Sequence, residues 1–92
     1  HKAGNYLEGE WIAQTDHGAI RTRLHRDSYD NQSWLQTDAW TPNGWAMIIR
    51  QDGYVLDLPS PYAKDHELPA IEKLVNGMVT RQQDLAREVL AA

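Results

Sequence analysis

Between positions 34 and 40 the chain reads Trp-Leu-Gln-Thr-Asp-Ala-Trp, and every second residue there carries a group suited to recognition. In an extended strand residues two apart share a face. Trp34, Gln36, Asp38 and Trp40 would then stand side by side. Two indoles flanking an amide and a carboxylate have the makings of a small-molecule site, which combines apolar walls with a few convergent polar groups. These four are the candidate ligand-binding residues. The competing reading is a strand near a sheet edge, with Gln36 and Asp38 simply meeting water.

A second constellation is the basic run Arg21, Arg23, His25 and Arg26. Arg21, Arg23 and His25 would project from one strand face about 7 Å apart, as a row of phosphate contacts requires. Glu8 and Glu10, however, fall on the same face of the preceding strand. The chain carries 9 basic against 13 acidic residues, a net charge of −4. Without a positive field, sequence-independent phosphate binding has little to draw on. The row reads as a charge-balanced surface, and nucleic acid is not an expected partner.

No other set of residues assembles a reaction centre. There is no cysteine, which removes thiol nucleophiles, disulfides and thiolate metal sites. His17, His25 and His66 are dispersed, without HxH or HExxH spacing. Asp65-His66-Glu67 are chain neighbours that cannot all turn to one ion, and their acids suit the positive end of a following helix. Ser28, Ser33 and Ser60 fall in expected loops or caps, with no nucleophile elbow around them. His25 opposite Glu10 is the acid–base pair the strands could bring together. We assign no catalytic residue, metal ligand or cofactor, and the reading leans away from an enzyme.

The elements that must position these groups are legible from turns and periodicity. The 92 residues suit one domain, and 41% hydrophobic with 24% charged residues is the balance of a folded chain rather than a disordered one. His1 stands where a methionine would open a chain, so residues 1–4 are expected to be a tag or a disordered start. Strands follow over residues 6–58: Tyr6 to Thr15, Ala19 to Arg26, Trp34 to Trp40, Trp45 to Arg50 and Tyr54 to Leu58. Gly18, Asn43-Gly44 and Asp52-Gly53 supply the turns. Residues 60–92 are helical, with an apolar stripe of Ile71, Leu74, Val75, Met78, Leu85, Ala86 and Val89 interrupted by Gln82. The stripe keeps phase across Gly77, which favours one long helix over a second helix opening at Thr80. The expected fold is α+β, a five-stranded antiparallel meander packed on one face by a C-terminal helix.

Alternation sorts the side chains. The face of Trp34, Trp40, Trp45, Met47, Ile49, Tyr54, Leu56 and Leu58 is the more apolar, and the helix is expected to cover it. The reverse face, with Leu35, Ala39, Ala46, Ile48 and Val55 among Thr37, Arg50 and Asp57, is semi-apolar and then left over, as are Val79 and Leu90 beside the helix stripe. Ile48, Val55, Val79 and Leu90 are the candidate interface residues. Surplus apolar surface on a small domain points to pairing, usually two-fold. The run Trp45-Ala46-Met47-Ile48-Ile49 falls far short of the ~20 residues that span a bilayer, and no signal-peptide pattern opens the chain. The sequence therefore predicts a soluble, cytoplasmic, non-enzymatic interaction or accessory module, a homodimer or the partner of another protein. A small-molecule domain around Trp34, Gln36, Asp38 and Trp40 is the alternative.

Overall fold

The computed structural model describes residues 9–27, 32–52 and 65–92. Four strands, β1 (Gly9–Thr15), β2 (Gly18–Asp27), β3 (Gln32–Thr41) and β4 (Gly44–Asp52), form an antiparallel meander in chain order. A 3-10 turn over Asp65–Glu67 leads into α1 (Leu68–Ala91), which packs on one face of the sheet. The fold is thus α+β, with a four-stranded sheet and one C-terminal helix. The fifth strand expected over Tyr54 to Leu58 lies outside the described residues, and Val55 with it.

Both described hairpins close on the same pattern, Thr-x-x-Gly. Thr15 pairs with Gly18 and Thr41 with Gly44. In each, the threonine hydroxyl donates to the glycine carbonyl at 2.7 Å and accepts the N–H of the second turn residue, His17 at 3.0 Å or Asn43 at 3.1 Å. The two glycines sit at φ +109° and +105°, a conformation that a Cβ disfavours. The second turn is therefore Pro42-Asn43 rather than Asn43-Gly44, and Trp40 faces Trp45, where an Asn43-Gly44 turn would have set it opposite Met47. A two-residue slip preserves faces, so this difference alone moves no side chain across the sheet.

A bulge does. Asp38 faces Met47 but Thr37 faces Ile49, leaving Ile48 as the extra residue on β4. Ile49, expected beside Met47, is turned to the opposite face. Arg50 and Asp52 take the places opposite Gln36 and Trp34.

The helix covers the face that the sequence reading had left over. Pairings Leu24↔Leu35, Thr22↔Thr37 and Ile20↔Ala39 align the apolar side of the first hairpin with Leu35, Thr37 and Ala39, not with Trp34 and Trp40. All six of those residues are buried. The β2–β3 register decides the matter: with Ile20 and Leu24 inward, Arg21 and Arg23 must share the outer face with Gln36 and Asp38. Covering that face would desolvate several charges.

On α1 the buried stripe is Ile71, Val75, Val79, Gln82 and Ala86. Val79, expected at an interface, joins Leu24, Leu35, Ile71 and Val75 in the core and is only 4% exposed, so its surface is spent on the fold. Each such side chain contributes roughly 1.5–3 kcal/mol by burial. Leu74, Leu85 and Val89, expected in the stripe, stand largely exposed. Gln82 is bonded into the sheet: its Nε2 donates to the Leu35 carbonyl and to Thr37 Oγ1, both at 3.0 Å. Thr37 Oγ1 in turn shares a 2.8 Å hydrogen bond with Thr22 Oγ1. The helix runs unbroken through Gly77, and Pro69 lies in its first turn, where no N–H is needed.

Candidate functional site

The outer face of the sheet, opposite α1, carries the groups with recognition chemistry. Asp38 is its centre and an oddity, a carboxylate only 2% exposed on a face that no described helix or strand covers. Neighbouring side chains lie across it. Arg21 on β2 donates Nε and Nη2 to Asp38 Oδ2 at 3.2 and 3.0 Å, and Arg23 donates Nη2 to the same oxygen at 3.2 Å. Gln36, two residues along β3, donates Nε2 to Oδ1 at 2.7 Å. Gln36 Oε1 accepts Arg50 Nη1 at 3.1 Å, and Arg50 Nε donates to Asp52 Oδ1 at 2.7 Å.

The guanidinium groups are also stacked on indoles. Arg21 lies 4.6 Å from the Trp45 ring centroid, and Arg23 and Arg50 lie 5.7 and 5.0 Å from that of Trp34. His25 stacks on Trp34 at 5.3 Å, and Trp40 meets Trp45 edge-on at 5.2 Å. Planar, permanently charged arginine suits this dual role, since one face can meet a ring while the edge donates to a carboxylate. The result is a continuous lattice in which each polar group holds the next.

The four predicted ligand-binding residues do share this face, but they do not form a pocket. Trp34 and Trp40 stand six residues apart on one strand, roughly 20 Å. Between them, Gln36 and Asp38 are engaged by arginines. Sequence reasoning missed Arg21, Arg23, Arg50 and Trp45 as members of the site. The alternation Arg-x-Arg-x-His was visible, but only the β2–β3 register sets it opposite Asp38, Gln36 and Trp34. Of the predicted interface residues, Ile48 is half-buried at the bulge and Leu90 half-buried near the end of α1.

An open cleft of about 430 Å³ lies elsewhere, where the first hairpin meets the end of the helix, lined by Gln14, Thr15, Asp16, His17, Arg87 and Ala91. None of the lattice residues reaches it. Among the described residues no group of three His, Asp or Glu converges to hold a metal. No described helix is long and apolar enough to cross a membrane. Compared with protein-family models, curated proteins and solved structures, the chain matches none.

Proposed function

We propose that this protein is a non-enzymatic interaction module that associates through the outer face of its sheet, most simply as a homodimer. The observation that carries the reading is the makeup of that face. Trp34, Trp40, Trp45, Met47 and three arginines gather on it, and its described residues include no lysine. Tryptophan, methionine and arginine are the residues enriched in protein interfaces, and lysine is depleted there. Ile12, Trp40 and Met47 are each more than half exposed, leaving apolar anchors uncovered. Holding the arginines in place beforehand lowers the ordering cost of association.

The same geometry weighs against a small molecule bound by Trp34, Gln36, Asp38 and Trp40. Such a ligand would have to displace Arg21, Arg23 and Gln36 from the Asp38 carboxylate. The test is solution mass by light scattering across a hundredfold range of concentration. The wild-type chain should be dimeric at the upper end, and Trp40→Ala with Met47→Ala should shift it to monomer. Leu74→Ala with Leu85→Ala on the helix should leave the mass unchanged. A dimer broken by the helix pair and indifferent to the sheet pair would overturn the proposal.

A further inference from the structure

Two central rows of the outer face are complementary to themselves about one particular axis. Its residues form cross-strand rows running from β1 to β4. One row reads Ile12, Arg21, Asp38, Met47, and the next reads Glu10, Arg23, Gln36, Arg50. Below them His25 pairs with Trp34 on β2 and β3. Three pairs match across the middle of these rows: Ile12 with Met47 as apolar groups, and Arg21 with Asp38 and Glu10 with Arg50 as opposite charges, while a further row sets Gln14 and Ala19 on the first hairpin against Trp40 and Trp45 on the second.

We infer that a second copy of this chain occupies the face, related by a two-fold axis that runs parallel to the strands between β2 and β3. This rests on the interaction reading above and specifies its geometry. Rotation about that axis lays β1 over the partner's β4 and β2 over the partner's β3. Ile12 then meets Met47, matching two apolar side chains that are 60% and 59% exposed in the single chain. Glu10 meets Arg50, both of them exposed. The Arg21–Asp38 pair lies on its symmetry mate in reversed order, so charges alternate rather than repel, and His25 of one copy meets Trp34 of the other.

The other in-plane axis, perpendicular to the strands, lays the two rows over each other. It puts Arg21 on Arg23, Ile12 on Glu10 and Met47 on Arg50. Like charges and mismatched polarity disfavour it. The area is adequate. Four strands about 4.8 Å apart, over these rows and that of Trp40 and Trp45 about 7 Å apart, give roughly 500 Å² of flat surface per copy. The two copies together bury about 1,000 Å² before side-chain relief is counted, the threshold for a specific interface. Two sheets about 10 Å apart with aligned strands make a sandwich, with the helices on its outer faces.

The absence of cysteine makes the test clean. Chains carrying Ile12→Cys and Met47→Cys are treated with a short bismaleimide, separately and as an equimolar mixture, while light scattering reports the mass. The inferred axis predicts linked dimers in the mixture, with yields about tenfold above either variant alone. Efficient linking within a single variant, with dimeric mass retained, would overturn the axis and leave the interaction reading standing. Monomeric mass for the wild-type chain throughout would overturn both. Charge removal checks the result at exposed positions. Glu10→Gln and Arg50→Gln should each weaken the dimer about tenfold, and the double variant should be little weaker than either single one, because the pair is already broken. Fully multiplicative losses in the double variant would overturn the Glu10–Arg50 pairing.

Discussion

Replacing Asp38 with alanine should be the most damaging change on the outer face, although that face carries no helix. Asp38 accepts two hydrogen bonds from Arg21, one from Arg23 and one from Gln36, and its side chain is 3% exposed. Removing one member of a buried ion pair costs about 3–5 kcal/mol, because the abandoned charge stays desolvated. Here the arginine side chains keep 20% and 35% of their surface in water, so solvent recovers part of that loss. We expect about 2–3 kcal/mol. A domain of this length has roughly 5–14 kcal/mol in total, and the midpoint of thermal unfolding should fall by about 10–20 °C. Asp52→Ala is the internal control: the same residue type, bonded to Arg50 at 2.7 Å but 62% exposed, and expected to cost less than about 0.5 kcal/mol. Urea unfolding followed by tryptophan fluorescence reads both variants, at one protein concentration because association itself shifts the midpoint. Equal destabilisation by the two substitutions would refute the argument that burial by neighbouring arginines makes Asp38 different.

Other sites test the interior and the backbone. Gln82→Ala should cost about 3 kcal/mol, from two lost hydrogen bonds and a cavity. Gln82→Met should cost about 1–2 kcal/mol, since it keeps the volume and removes Oε1, which is buried without a partner among the described atoms, but still forfeits both Nε2 hydrogen bonds. Denaturant midpoints for the two variants separate lost volume from lost polarity. Gly77→Ala should stabilise the helix by about 0.5–1 kcal/mol, because an added Cβ would meet only the mobile end of Arg81 at 3.3 Å. Gly44→Ala, at φ +105°, should destabilise by about 1 kcal/mol despite the open space around it. Melting temperatures of opposite sign for these two alanines are the check.

Local chemistry made much of this fold readable in advance. Gly18 and Gly44 punctuate the hairpins, and the 3.6-residue recurrence of Ile71, Val75 and Met78 marks the helix. Which side of the sheet the helix takes was not readable, for two reasons that lie between elements rather than within them. The β2–β3 register joins Leu24 to Leu35, and no turn motif in the sequence between them dictates that pairing. The bulge at Ile48 flips Ile49 away from Met47, and no residue there announces it. The site suffered the same way. Trp34, Gln36, Asp38 and Trp40 were correctly placed on one face by alternation, yet Asp38 is occupied because Arg21 and Arg23 arrive opposite it. Gln82 looked like a flaw in an apolar stripe until the Leu35 carbonyl and Thr37 hydroxyl appeared beneath it.

The matched Thr-x-x-Gly clasps bear on the order in which the chain assembles. Each sets its hairpin's register through contacts no more than three residues apart, so both hairpins can find their alignment without the rest of the protein. The helix has no such local guide, and its anchoring bond from Gln82 to Leu35 closes a separation of 47 residues. Chains dominated by local contacts fold fast, and long closures come late. Thr41→Val should therefore slow folding, whereas Val79→Ala should chiefly hasten unfolding. The sheet would stand as a scaffold in the transition state, awaiting the helix.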